Sequence, residues 1–366
     1  MRRAMVTMLL CAWAAASGCN AVGPTALRNG RGAYNLALQQ STNEQLLLNL
    51  VRMRYCDTPL FFEVASVTTS FDEQVSLGGS ASLARVDPNP VNTYTYGITG
   101  NVMVAEHPTI CYVPMQSERF AKQMLSPVSA DALLLLSHSG WSVRRILMLC
   151  VQRLNGLQNA PRASGPTPRW APEYQEFRRA VELMLTLQLR DALRLETAAQ
   201  PAGQPRIVVV LDGGPDTAAD IAELRKLLRL NPEQTSYPLV EGPWAKSPDV
   251  ITIETRSVLA AMHYLSQGVE VPKEHAEKGK ANRTRDFKTN ELFDWQRVLK
   301  EVFQVRSQKS RPEDAAVAVN YRDAWFYVDD ADLDSKCTFD MLTQLTALQA
   351  GDIRSATPVL TIPVSR

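Results

Sequence analysis

The sequence carries no excess of charge of either sign. Its 39 Lys and Arg face 38 Asp and Glu, a formal net charge of +1. That balance gives no electrostatic footprint for nucleic acid or an anionic surface. Histidine is scarce: His107, His138, His263 and His275 are the only four. None sits in H-E-x-x-H and no two stand at helical spacing, so zinc has no support. There is also no C-x-x-C, no G-x-x-x-x-G-K-[ST] loop, no G-x-G-x-x-G and no G-x-S-x-G elbow. Nucleotide binding and serine hydrolysis are left without a motif. Acidic pairs abound, but nothing singles out two for acid–base work. We therefore expect no catalytic residue, no metal ligand and no cofactor.

What is present begins at the N-terminus. Arg2 and Arg3 form a basic start, and Met5 to Ala16 is apolar. That stretch has signal-peptide length and falls well short of the roughly 20 residues of a membrane-spanning helix. It ends in Ala16-Ser17-Gly18-Cys19. Small residues before a cysteine resemble the lipobox of bacterial lipoproteins, with Ala16 standing where Leu is usual. The expectation is cleavage after residue 18 and lipid, palmitate included, on Cys19. Several acyl chains would make attachment effectively permanent. Asn20 follows where Asp would signal inner-membrane retention, so the resemblance implies the outer membrane. Loss of Arg2 and Arg3 with the leader shifts the net charge from +1 to −1.

A chain of 366 residues, 45% hydrophobic, is long enough for two domains or one large composite. Beyond Cys19 the cysteines are Cys56, Cys111, Cys150 and Cys337. An oxidising periplasm admits one or two disulfides, with three connectivities open. Cys150, inside an apolar run, reads better as a free buried thiol.

Along the chain the expected class is α+β. Tyr34 to Arg54 has the apolar period of a long helix, which Pro59 brings to a close. Leu60–Phe71, Glu73–Arg85, Asn92–Glu106 and Thr109–Val113 read as about four antiparallel strands, with Asp87-Pro88-Asn89-Pro90 as a turn. Helices are expected over Ser117–Leu125, Ala130–Ser137, Ser142–Asn155 and Glu173–Thr197. The C-terminal part alternates: strands Arg206–Leu211 and Val250–Ile253, helices Thr217–Leu230 and Ser257–Gln267, with Gly268 as a stop. Lys273–Thr289 is charged and expected to be mobile. Val302–Ser307, Ala315–Tyr321 and Ala324–Asp329 suggest an antiparallel meander, followed by a helix Thr338–Ala350 and a strand Val359–Val364. The implied organisation is a signal peptide 1–18, a lipidated tether 19–33, a helix-plus-strand domain 34–160, a Pro/Gly/Ser-rich linker 161–172 and a C-terminal domain 173–366.

Three clusters invite chemistry and have simpler explanations. Asp330, Asp332 and Asp334 have calcium-ligand spacing, but an EF-hand loop would need Gly and Glu where Ser335 and Met341 stand; helix capping by Asp334 or Ser335 explains them better. Asp212-Gly213-Gly214-Pro215-Asp216 precedes a helix, yet its carboxylates repel phosphate. Arg52, Arg54 and Tyr55, like Trp141 and Trp325-Phe326-Tyr327, read as core or salt-bridged surface rather than a ligand platform.

Three segments carry a likeness together: Asn43 to Tyr55, Pro108 to Tyr112 and Trp325 to Lys336. They resemble a family of Gram-negative bacterial lipoproteins to which no activity is assigned. The resemblance supports location and carries over no catalytic residue. The expectation is a lipid-anchored, periplasm-facing envelope protein with a binding or assembly role, its partners the membrane through Cys19 and an envelope protein or a second copy of itself. Two rivals stand beside it. One is a subunit of an oligomeric outer-membrane channel, to which the strands between Leu60 and Val113 are donated. The other is an envelope enzyme or small-ligand binder.

Overall fold

The protein is α+β. A computed structural model describes residues 22–86, 91–115, 118–166, 169–198 and 206–350. The chain divides into two units, one spanning Leu60–Gln116 and the other drawn from Met1–Pro59 and Ser117–Arg354.

Helix α1 (Val22–Arg54) opens the larger unit. It starts well before Tyr34, so residues 22–33 of the expected tether belong to the helix. Pro24 lies in its first turn, where the missing N–H costs nothing. Leu47, Leu50 and Val51 are fully buried.

The smaller unit is a single antiparallel ribbon of β1 (Phe62–Val86) and β2 (Val91–Pro114). Two long strands replace the four expected. The breaks expected at Asp72 and at His107-Pro108 do not occur, and Gly78 and Gly79 stay in register, paired with Thr99 and Ile98. Continuous ladder pairing carries the strands through residues of weak β-propensity. The turn 87–90 lies outside the described residues.

The rest of the larger unit continues with α2 (Glu118–Leu125), α3 (Ala130–His138), α4 (Val143–Cys150), β3 (Val151–Leu154), β4 (Leu157–Gln158), α5 (Gln175–Leu189), β5 (Leu193–Ala198) and β6 (Arg206–Leu211). Then come α6 (Ala218–Leu228), β7 (Ser236–Glu241), β8 (Ile251–Thr255), α7 (Val258–Ser266), α8 (Lys273–Glu277) and α9 (Gln296–Leu299). The last elements are β9 (Arg306–Gln308), β10 (Ala315–Tyr321), β11 (Ala324–Asp329) and α10 (Leu333–Ala350). A six-stranded sheet runs β4-β3-β8-β7-β6-β5, antiparallel except for the β7–β8 pair. Phe177, Ala180, Val181, Met184 and Leu187 recur at helical spacing and bury one face of α5, which packs on α4 and α6.

Two expected helices end early. The one read over Ser142–Asn155 stops at Cys150, and β3 and β4 follow as a hairpin turning on Asn155-Gly156. Those residues have φ of 43° and 83°, the left-handed pair that a two-residue hairpin needs. The helix read over Glu173–Thr197 stops at Leu189, and residues 193–198 instead pair with β6. Edge pairing there outweighs local helix propensity.

The three C-terminal strands are antiparallel, but β11 is central in the order β10-β11-β9, so they are not a sequential meander. Arg322-Asp323 joins β10 to β11 with φ of 51° and 64°. Strand β9 begins only at Arg306, because the N–H groups of Val302 and Phe303 bond back to the Leu299 carbonyl in the turn that closes α9. Part of the charged stretch Lys273–Thr289 forms α8, and Asp286 accepts backbone N–H bonds from Lys288 and Thr289. The Pro/Gly/Ser-rich stretch at 161 falls inside the larger unit as a 3-10 turn, Pro161–Ser164. The strand expected over Val359–Val364 lies outside the described residues.

Candidate functional site

The ribbon's register sorts its residues onto two faces, because residues directly paired share a face and neighbours alternate. One face takes Val75, Leu77, Gly79, Ala81 and Leu83 from β1, with Val102, Gly100, Ile98, Tyr96 and Tyr94 opposite them on β2. The other takes Gln74, Ser76, Gly78, Ser80, Ser82 and Ala84, opposite Met103, Asn101, Thr99, Gly97, Thr95 and Thr93. One face is apolar and the other is mostly small and hydroxylic.

Nearer the base a bulge between Val64 and Ser66 inserts one residue in β1. It re-phases the strand, so that Phe62, Val64 and Val67 share a face with Pro114, Tyr112 and Ile110. Ile110 and Tyr112 are 41% and 53% exposed. Among the described residues β1 and β2 pair only with each other, so each leaves one edge open.

In the larger unit, a cavity of about 420 Å³ opens beside the end of α1. Arg54, Gln267, Asn282, Thr284, Trp295 and Gln304 are among its lining residues. Arg54 Nη1 donates to Gln267 Oε1 at 2.9 Å, and Trp295 Nε1 donates to Thr284 Oγ1 at 3.0 Å. Arg54 Nε and Asn282 Nδ2 are buried without a partner. Burial pulls the Arg54 guanidinium below its usual pKa, since low polarity penalises the charge.

Next to it Tyr55 is the hub of an aromatic cluster. Its hydroxyl lies 2.7 Å from His275 Nδ1, and its ring meets Tyr321 and Phe326 edge to face. Arg322 lies 4.9 Å over that ring and ion-pairs with Asp57 at 2.8 Å. Burial raises the Tyr55 hydroxyl to about 12. Tyr55 and Phe326 are core, while Arg54 lines the cavity.

No family model matches the chain, and no curated protein or solved structure does either.

The other residues singled out in the sequence take up structural posts. Asp332 caps α10: its carboxylate accepts from the backbone N–H and the hydroxyl of Ser335. The helix thus starts at Leu333, and Asp332 holds the role expected of Asp334 or Ser335. Asp330 pairs with Lys336 at 2.6 Å and Asp334 with Arg145 at 3.0 Å. No cluster of three or more metal-ligand side chains occurs among the described residues. A Cβ on Gly213 would meet Thr217 Oγ1 at 2.0 Å, so that glycine serves close packing. Cys56, Cys111 and Cys337 are exposed free thiols and Cys150 is a buried one. None of these four is disulfide-bonded in this structure. Cys19 lies outside the described residues.

Nothing in the sequence marks out Arg256, which is 1% exposed. Its Nη1 donates to the carbonyls of Met148, Leu149 and Val151, and Nη2 to that of Asn159. Nε donates to Ser164 Oγ at 3.1 Å. Burial lowers its pKa to about 10. An arginine after a strand resembles any other in sequence; only its surroundings mark it.

Proposed function

We propose that this protein is a lipid-anchored, periplasm-facing envelope protein, held at the outer membrane by acyl chains on Cys19, that works by assembling with further copies of itself. One observation carries the reading: a long two-stranded ribbon with two open edges and one apolar face. Two strands alone are at best marginally stable in water, and an open edge invites a further strand. The lipobox-like Ala16-Ser17-Gly18-Cys19 supports the anchor, and the resemblance to bacterial lipoproteins supports the location. The test is the mass of the detergent-extracted full chain by light scattering, with chemical cross-linking in intact envelopes. A discrete oligomer is expected; a monomer in both would overturn the reading. Cys19→Ser should release the protein from envelope to soluble fraction or reduce its retention, and unchanged fatty-acid labelling would refute the anchor.

A second reading, binding of a small ligand rich in acceptors, is favoured by the unpartnered Arg54 Nε and Asn282 Nδ2 beside the cavity. A carboxylate would satisfy both kinds of donor. Citrate and succinate serve as probes in a thermal shift assay. A midpoint rise that Arg54→Met abolishes supports this reading, and no rise at millimolar concentration rejects it for carboxylates.

A further inference from the structure

We propose that the tip half of the β1–β2 ribbon crosses a membrane, as two strands of a closed barrel contributed by several copies of this chain. The inference rests on the assembly reading above and adds where the strands lie and what they enclose.

The first ground is charge. Eleven consecutive register rows, from Gln74 with Met103 to Ala84 with Thr93, contain no Asp, Glu, Lys or Arg on either strand. Charges flank that band directly, Glu73 on one side and Arg85 on the other, with Asp72 and Glu106 in the two rows beyond Glu73. At ~3.3 Å per residue the band is about 36 Å long. Tilted by ~45°, as barrel strands are, it covers about 25 Å, the height of the apolar belt of a transmembrane barrel.

The second ground is the face pattern. Apolar residues on one face and Ser, Thr, Gln and Asn on the other match a strand between lipid and an aqueous lumen. Aromatic residues lie near both ends of the apolar face. Phe71 is paired with Glu106 at one end, and Tyr94 and Tyr96 stand near the tip at the other. Such positions suit the membrane–water interface.

The third ground is closure. In hydrocarbon every backbone N–H and C=O needs a partner, so an open two-stranded ribbon cannot remain there. Setting the free edge of β1 in one copy beside the free edge of β2 in the next continues the antiparallel order. Repetition closes a ring with an even number of strands. Barrels of this kind have about eight strands or more, so about four copies or more are needed. A second copy is the fitting neighbour because it supplies the same band length and the same alternation. The lumen face in this band carries no charge, so the pore should pass small ions and polar solutes with weak charge selectivity.

The experiment uses the full lipidated chain in phosphatidylethanolamine–phosphatidylglycerol vesicles. Cys56→Ser, Cys111→Ser and Cys337→Ser remove the exposed thiols, and buried Cys150 stays. Single cysteines are then introduced as Ser76→Cys, Leu77→Cys, Ile98→Cys and Thr99→Cys and labelled with an environment-sensitive dye. Labels at 77 and 98 should lose fluorescence to nitroxide lipid, and those at 76 and 99 to aqueous iodide. The unsubstituted protein should give discrete conductance steps in a planar bilayer. Oligomers that show neither alternation nor conductance would overturn the membrane crossing and leave the assembly reading standing. A monomer in detergent and in cross-linked envelopes would overturn both.

Discussion

The Arg256 guanidinium lies 4.0 Å over the ring of Tyr264, both side chains being fully buried. Below it the guanidinium caps the C-terminal end of α4, whose last carbonyls have no partner within the helix. A cation there also faces the negative end of the helix dipole. No carboxylate is among its hydrogen-bond partners; backbone oxygens and Ser164 supply the compensation. Arg256→Met would leave several buried carbonyls without donors. The expected loss is about 3–5 kcal/mol, read from urea denaturation. A loss below ~1 kcal/mol would show that the contacts are not what holds α4, β3 and α7 together.

Asn155 performs a similar service at the β3–β4 turn. Its Nδ2 donates to Leu228 O at 2.8 Å, and its Oδ1 accepts from Thr252 N–H at 2.6 Å. Asn155→Ala removes both bonds and places a non-favoured residue at φ 43°. The expected cost is about 2–3 kcal/mol. Gly156→Ala should be damaging for a separate reason: its φ is 83°, and the added Cβ would meet the Trp244 ring at 2.8 Å. Thermal melts of the two variants check this, and wild-type midpoints in both would refute it.

Thiol reactivity should divide the cysteines. Cys56, Cys111 and Cys337 are exposed, whereas burial pushes the Cys150 thiol up to about 12, leaving almost no thiolate to react. In the native protein a thiol reagent should modify the three and spare Cys150 until denaturant is added. Modification of Cys150 at the same rate as Cys337 would contradict its placement.

Stability should fall on mild acidification. Burial lowers the pKa of both His263 and His275 below the usual 6.5. The unfolded chain therefore binds protons first, and stability declines as pH drops through about 6.5 towards the folded values. Carboxylates such as Glu301, held below 4.5 by Arg144, act in a separate and more acidic window. Denaturation midpoints between pH 8 and pH 5 should decrease, and His263→Gln should flatten the slope. A midpoint constant over that range would remove the histidines as the cause.

The sequence alone settled the α+β class, the apolar faces of α1 and α5, and the strands β6, β10 and β11, because each rests on local periodicity. Where tertiary pairing overrode local preference, the reading failed. Residues 193–198 pair with β6 instead of extending α5, and Asn155-Gly156 turns a hairpin where a helix was expected. The acidic run showed its capping role in the sequence, though not that Asp332 is the cap. Arg256 was illegible because a buried arginine is defined by carbonyls that arrive from distant segments.

The ribbon shows the same division most clearly. Alternation of Ser and Thr with Val, Leu and Tyr is written in the sequence. The pairing of Gln74 with Met103 through Ala84 with Thr93 is not. Asp72, Glu73 and Asn92 lie close to the band along the chain, and it is register that sets them outside its ends. A one-residue slip would move every side chain of one strand to the other face, so only the folded register decides that two half-polar strands share one apolar face.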